Sequence, residues 1–135
     1  MKDIEQEVMA YLALKNKAGE CVGFRVPIIN ASILFIDSAE SPVTNWFHAM
    51  AFAESRGGRL PSFDQLRVVF GFRDEINTIA AQAGFPDFLS GKVWTCSLVA
   101  GGYCDAYVVD LLTEDANRYD TSGSKFKAMI VYPTN

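Results

Sequence analysis

The segment GGRLPSFDQL at residues 57–66 decides the fold, because it ends one helix and begins another within a few residues. A helical pattern covers about residues 43–55, and the glycine pair that opens the quoted segment stops it. Ser62 is followed three residues later by Gln65, which is the spacing of a capping box. The sequence therefore predicts a second helix through about Phe70, joined to the first by a sharp corner.

Three further elements are predicted before this corner and one directly after it. We expect an N-terminal helix within 1–19, two short strands at 21–26 and 32–37, and a turn at 38–42. The apolar spacing that predicts the first helix involves Ile4, Val8, Tyr11 and Leu12. Asp74 is predicted to cap a short helix that Gly84 closes. The apolar faces expected for the helices on either side of the corner are Trp46, Ala49, Met50 and Ala53, and Ile76, Ile79, Ala80 and Ala83.

The pattern after Gly84 changes from helical spacing to strands. KVWTCSLV at 92–99, YCDAYVVDLL at 103–112 and KFKAMIVY at 125–132 are predicted strands, and the segments between them are predicted loops. Helices followed by a run of antiparallel-type strands favour an α+β class over α/β. With no repeat or linker in the sequence, we expect a single domain over residues 1–135.

Composition excludes several classes of function. The 135 residues are 50% hydrophobic and carry a net charge of −4, which argues against a disordered chain and against a nucleic-acid partner. The acidic N-terminal segment is unlike a secretory signal, and the apolar runs are too short for a membrane span. We therefore expect a chain made in soluble form in the cytoplasm. A reducing compartment favours small buried thiols for Cys21, Cys96 and Cys104 over a bridge between the last two.

No pattern of reactive residues predicts a metal, a cofactor or an active site. The cysteines lack paired zinc-ligand spacing, and the acidic run from Thr113 to Asp120 lacks the order of a calcium-binding loop, so a solvated loop is the better interpretation. The glycine pair near Arg59 matches neither phosphate-binding motif. A small enzyme that uses His48 or a cysteine remains an alternative. We expect His48 to face outward, nearly opposite Trp46 on its helix.

Five pieces of the chain, taken in order, resemble the C-type lectin-like fold of compact bacterial and phage proteins. They are Trp46 with Ala49, the segment Gly57–Leu66, the segment Trp94–Ser97, the segment Tyr107–Leu111 and the segment Met129–Tyr132. The resemblance spans about residues 33–133. It implies helices packed on small antiparallel sheets, termini that lie close together, and a long loop region displayed on one side.

The resemblance also implies what the displayed loops do. In this family they bind sugars, proteins or host receptors, and calcium-dependent sugar binding uses an E-P-N or Q-P-D triplet. The nearest segment in this chain is Phe85-Pro86-Asp87, whose first position lacks the oxygen ligand. The resemblance therefore implies recognition without calcium.

We expect a recognition or structural module with no catalytic activity, whose loops at about 97–105 and 113–124 bind a protein or glycan partner. The residues expected to contact the partner are Tyr103, Asp105, Asn117, Arg118 and Tyr119. An alternative is a phage virion or assembly component that forms homo-oligomers or binds other virion proteins. In that case the N-terminal helix over 1–19 would be an added interaction arm.

Overall fold

A computed structural model of the chain describes residues 2–99 and 104–133, with side chains from residue 7 onward. Within these ranges it has five helices and eight strands, a mixed α+β arrangement. The helices are α1 (Lys2–Leu12), α2 (Phe35–Glu40), α3 (Trp46–Ser55), α4 (Phe63–Gly71) and α5 (Arg73–Gln82). The strands are β1 (Ala13–Lys15), β2 (Cys21–Val26), β3 (Ala31–Leu34), β4 (Lys92–Leu98), β5 (Asp105–Asp110), β6 (Ala116–Asp120), β7 (Lys127–Ala128) and β8 (Tyr132–Pro133).

The strands form two four-stranded sheets with α3, α4 and α5 between them in the chain. The first sheet has the order β1-β2-β3-β8, and the second has the order β6-β5-β4-β7. The pairs are antiparallel except β4 with β7, which is parallel and corrects the expectation of purely antiparallel sheets. The chain returns to β4 along the same direction in β7 because the long β5–β6 excursion lies between them.

Two clusters of buried side chains hold these layers together. The larger one joins Phe24 and Ile33 of the first sheet to Leu66 of α4 and Ile76 of α5. The smaller one joins Ala49 and Ala53 of α3 to Trp94 of β4 and Val108 of β5. The apolar faces expected for α3 and α5 therefore do face the core, although Trp46, Met50 and Ala83 are only half-buried.

The corner between α3 and α4 ends the first helix as the sequence predicts. The amide of Gly57 donates to the carbonyl of Glu54, and the amide of Gly58 donates to that of Ala53. These crossed hydrogen bonds end a helix on a left-handed residue, and Gly57 has a φ of +83°. The glycine pair therefore has a structural role as a helix terminator.

The same corner starts α4 with two caps. Ser62 Oγ accepts from the amide of Gln65 at 3.0 Å, and Gln65 Oε1 accepts from the amide of Ser62 at 2.9 Å, so the predicted capping box is confirmed. The amide of Phe63 donates to Ser97 Oγ on β4 at 2.9 Å. The start of α4 is therefore fastened to the second sheet as well as capped locally.

The N-terminal helix is shorter than predicted. It ends at Leu12, and residues 13–15 pair with β2 instead of continuing the helix. Asn16 Oδ1 accepts from the amides of Ala18 and Glu20, and Gly19 takes a φ of +84° in the turn that follows. Pairing with β2 overrides the weak helical preference of this segment, so residues 13–19 are not part of a helical arm.

Three predicted boundaries around the middle of the chain are wrong. Of the strand predicted at 32–37, residues 35–37 lie in α2, because the pairing of β3 with β2 ends at Leu34 opposite Gly23; α2 also includes residues 38–40 of the predicted turn. The helix expected from residue 43 begins at Trp46, where the side chain of Asn45 accepts from the amide of His48. Asp74 lies inside α5 rather than at its cap, which is Phe72.

The last predicted strand is divided between the two sheets. Lys127 and Ala128 pair with β4, whereas Tyr132 and Pro133 pair with β3. Residues 129–131 cross between the sheets and are buried, which explains an apolar run that is not one continuous strand. The predicted loop at 113–124 contains β6, whose polar residues carry little strand preference of their own.

Candidate functional site

The candidate site lies on β5 and β6 of the second sheet, where most of the sequence-predicted residues are found. Ala106 is opposite Tyr119, and Tyr107 is opposite Arg118. Because side chains alternate along a strand, Asn117 and Tyr119 lie on one face of the sheet and Arg118 lies on the other. The five predicted residues therefore do not form one surface. Tyr103 lies outside the described residues.

Asn117 and Tyr119 line a small cavity of about 110 Å³. We call it the β6 pocket, and its lining residues are Lys92, Val108, Asp110, Asp115, Asn117 and Tyr119. Val108 is buried and lies opposite both Trp94 and Asn117, so the floor of the pocket is part of the second core cluster. The pocket combines an ammonium group, carboxylates, an amide and an aromatic ring around this apolar floor.

The polar side chains of the β6 pocket lie near one another without being locked together. Lys92 pairs in register with Asp110, and its Nζ lies 5.9 Å from the centroid of the Tyr119 ring. Lys92 and Asn117 are exposed. An exposed lysine at this distance from a ring contributes little to stability, so the hydrogen-bonding capacity of these groups is directed largely to solvent.

The fold holds the aromatic wall of the β6 pocket in place. The Tyr119 ring packs edge-on against Phe126 at 4.6 Å between centroids, and Phe126 packs in the same way against Trp94 at 5.3 Å. Trp94 Nε1 donates to the carbonyl of Thr44 at 2.8 Å. The ring of Tyr119 is thus connected to the buried core and cannot turn freely.

The turn between β5 and β6 positions the carboxylates. The amide of Asp110 donates to the carbonyl of Asp115 at 2.8 Å, and Asp110 Oδ1 accepts from the amide of Leu112 at 2.8 Å. Glu114 has a φ of +67° in this turn, a backbone conformation that is uncommon outside glycine. One oxygen of Asp110 is therefore used by the turn.

Asp105 and Arg118 form a separate pair on the other face of the sheet. Arg118 Nε lies 3.2 Å from Asp105 Oδ2, and the Arg118 side chain is 61% exposed. On the same face Tyr107 stacks on Phe63 of α4, with ring centroids 5.7 Å apart. An exposed ion pair of this kind contributes little to stability, and its charges satisfy each other before any partner binds.

The groups proposed for catalysis lie on different elements. His48 is exposed on α3, as expected, and its Nδ1 lies 3.2 Å from Thr44 Oγ1. Burial raises the pKa of the Cys96 thiol, although the charge of Arg59 acts in the opposite direction. Within residues 2–99 and 104–133, no three His, Cys, Asp or Glu side chains gather as they would around a metal ion.

The thiols are less buried than expected. Cys21 and Cys96 are half-buried, Cys104 is exposed, and all three are free. Cys104 has a φ of +61° directly before β5, and its carbonyl accepts from the amide of Thr121. Its place at the end of a strand, rather than inside the ladder, explains its exposure.

A second polar cluster, which the sequence did not predict, lies between α2, α3 and β8. We call it the Asp37 cluster, and it consists of Asp37, Glu40, Arg56 and Tyr132. Asp37 is 2% exposed; its Oδ1 accepts from Arg56 Nη1 at 2.9 Å and its Oδ2 from Tyr132 Oη at 2.7 Å. Burial and the bond to Asp37 raise the pKa of Tyr132 above its ordinary value. Only an aspartate inside the apolar run SILFID hinted at such a cluster.

Comparison with known proteins gives no relative. No protein-family model matches the chain, and no curated protein matches its sequence. Among the helices described here, none combines the length and the hydropathy that crossing a bilayer requires.

Proposed function

We propose that this protein is a recognition or structural module without catalytic activity, and that it binds a protein or glycan partner at the β6 pocket without calcium. The observation that carries the proposal is the state of the polar groups there. Lys92 and Asn117 are exposed beside a ring that is fixed to the core. A rigid aromatic wall with solvated hydrogen-bonding groups is a surface suited to a partner.

We further propose that the fold is of the C-type lectin-like type. In support of this, the first and last strands, β1 and β8, belong to the same sheet and form its two edges. The helices that follow that sheet lead into a second small sheet, and the corner at 57–66 is fastened to β4 through Ser97. This arrangement separates a scaffold from a displayed face, as the resemblance implies.

The proposal that calcium is not needed rests on Phe85. This residue stands where calcium-dependent sugar binders of the resembling family carry an oxygen ligand. Its ring packs against Phe35, with centroids 5.9 Å apart. Phe85 therefore contributes to packing at a position where a calcium site would need an oxygen atom.

A binding screen followed by two matched variants tests the proposal. A panel of glycans and bacterial surface proteins is screened in EDTA and again with calcium. Binding is then measured for Lys92→Ala/Asn117→Ala and for Asp105→Ala/Arg118→Ala, which remove polar groups from opposite faces of the same sheet. We expect binding in EDTA that the first variant weakens at least tenfold and the second leaves within about twofold.

Three results of this experiment contradict the proposal. The first is binding that requires calcium, and the second is equal binding by Lys92→Ala/Asn117→Ala. The third is a screen in which no member of the panel binds in EDTA.

The edge of the first sheet favours a second candidate, an assembly component that forms oligomers. Val8, Tyr11 and Ile28 are apolar side chains that are 48%, 69% and 79% exposed. Ile28 has a φ of +78°, which is a strained conformation for a β-branched residue. Its turn supplies Pro27 to a groove that Tyr11 also lines, so Tyr11 lies beside the turn that carries Ile28.

Light scattering after size exclusion tests this second candidate. We expect an oligomer that Ile28→Ser converts to monomers, because exposed apolar area at a contact favours association. Val43→Ser is the matched control, since Val43 is 61% exposed and precedes α3. A wild-type protein that stays monomeric at high concentration contradicts the candidate.

A further inference from the structure

A larger cavity, of about 280 Å³, lies on the other side of the second sheet from α3. It is bounded by α2, by the connection from α5 to β4, and by β4, β5 and β7. Its lining residues are Phe35, Ser38, Ala39, Gly84, Phe85, Pro86, Asp87, Phe88, Ser90, Val93, Leu111 and Lys127. We call it the α2 cavity, and it shares no residue with the β6 pocket.

The inner wall of the α2 cavity is apolar and rigidly packed. The ring of Phe35 meets that of Phe88 edge-on at 4.9 Å between centroids and that of Phe85 at 5.9 Å. Phe35 is fully buried, and Val93 and Leu111 are 4% and 2% exposed. Interlocked rings in contact with the main core keep their positions whether or not a ligand is present.

The connection that forms the outer wall is held in a fixed shape. The amide of Phe85 donates to the carbonyl of Ala80 at 2.8 Å, and the amide of Leu89 donates to Asn77 Oδ1 on α5 at 3.1 Å. Between these bonds Asp87 has a φ of +61°, which is unfavourable for a residue with a side chain. Strain of this kind persists only where surrounding contacts determine the backbone, so the wall is preformed.

Lys127 is the cation among the residues that line the cavity. It pairs in register with Val93 in the parallel β7–β4 pair, so both side chains lie on the cavity face of the sheet. Lys127 is exposed, and in the part of the chain described here no carboxylate oxygen lies within 4.0 Å of its ammonium group. The apolar stem of a lysine can follow such a wall while its charge stays at the mouth.

The other polar groups at the mouth are less available. Ser90 Oγ donates to the carbonyl of Asp87 at 2.6 Å, which occupies its proton. Asp87 is exposed on the connection rather than directed by the sheet. A ligand's negative charge is therefore attracted to Lys127 and kept from the side that Asp87 occupies.

We propose that the α2 cavity binds a small apolar carboxylate, whose hydrophobic body lies against the ring wall of Phe35, Phe85 and Phe88 while its carboxylate pairs with Lys127. A concave, mostly apolar cavity with one directed charge is the usual form of a small-molecule site. The inference is independent of the function proposed for the β6 pocket, because the two sites have no residue in common.

Three probes that differ only in their head group test this inference by NMR titration of the full chain. They are 4-phenylbutyrate, 4-phenylbutan-1-ol and 4-phenylbutylamine. We expect saturable shifts of the Gly84 and Ser90 amides with the carboxylate, weaker binding of the alcohol and the weakest binding of the amine. Lys127→Met should lower the affinity for 4-phenylbutyrate roughly fivefold, the size of a partly exposed ion pair, and bring it close to that of the alcohol.

Two further variants separate the site from the charge of its surroundings. Lys125→Met removes a cation of the same segment that does not line the cavity, and it should leave binding unchanged. Ala39→Trp places a large side chain at the exposed lip and should abolish binding of all three probes while the protein stays folded. The inference is overturned if no probe gives saturable shifts, if the amine binds as well as the carboxylate, or if Lys127→Met and Lys125→Met behave alike.

Discussion

The Asp37 cluster and the β6 pocket have nearly the same chemical composition and opposite states. Each contains a tyrosine, a cation and more than one carboxylate. In the Asp37 cluster both oxygens of a buried carboxylate accept hydrogen bonds, at 2.9 and 2.7 Å. In the β6 pocket Lys92 Nζ lies 5.9 Å from the Tyr119 ring centroid and its side chain is exposed. The comparison teaches that satisfied polar groups build the fold, whereas solvated ones remain available to a partner.

The largest expected effect is the loss of the Asp37 carboxylate. Asp37→Ala leaves Arg56 and Tyr132 without their shared acceptor in a mostly buried site. We expect the free energy of unfolding, measured by urea denaturation, to fall by about 3 kcal/mol. Asp115→Ala in the β6 pocket is the matched control and should change it by no more than about 0.5 kcal/mol. Equal losses in the two variants would remove the distinction between the clusters.

The second effect concerns the corner that carries the scaffold. A Cβ atom on Gly58 would lie 2.4 Å from Ile130 Cγ2 and 2.8 Å from the carbonyl oxygen of Val131. Gly58→Ala should therefore destabilise the protein by about 2 kcal/mol, as overpacking does. Gly71→Ala meets nothing within 4 Å and should be neutral or slightly stabilising in the same thermal unfolding measurement. A neutral Gly58→Ala would show that the corner is loosely packed.

A third prediction uses the pH dependence of the Asp37 cluster. Because burial and the bond to Asp37 raise the pKa of Tyr132, the folded state keeps this proton at a pH where the unfolded chain has lost it. The stabilisation is complete below the unfolded value of about 10 and is lost as the pH rises toward the folded value. We expect the free energy of unfolding of the wild type to fall more steeply above pH 10 than that of Tyr132→Phe. Parallel curves for the two proteins would contradict this assignment.

The smallest effect concerns the thiols. Cys104 is exposed, whereas Cys96 is half-buried and burial raises its pKa. Because the thiolate is the reactive form, iodoacetamide at pH 8 should modify Cys104 faster than Cys96, as measured by peptide mass spectrometry. A Cys96 that reacts first and far faster than an ordinary thiol would favour the enzyme alternative.

The sequence predicts the parts of the fold whose signals are local. Helix termination by Gly57, the capping box of Ser62 and the strand at 21–26 depend on neighbouring residues alone, and all three are present. The strands β1 and β6 depend on partners far along the chain, so their own residues carry little signal. The run at 125–132 reads as one strand because burial, not pairing, makes it apolar.

The candidate site was predictable only in part, for the same reason. Asn117 and Tyr119 were identified from a polar segment with aromatic residues, and they do line one pocket. The register of β5 and β6 turns Asp105 and Arg118 to the opposite face, which no local pattern shows. Lys92 was missed because it joins the site through its pairing with Asp110.

One urea-denaturation measurement addresses the distinction between the two clusters most directly. Lys92→Ala/Asn117→Ala removes two exposed polar groups from the β6 pocket. If those groups are reserved for a partner, the free energy of unfolding stays within about 0.5 kcal/mol of the wild type. A loss of about 2 kcal/mol or more would mean that they hold the fold together, as Asp37 does.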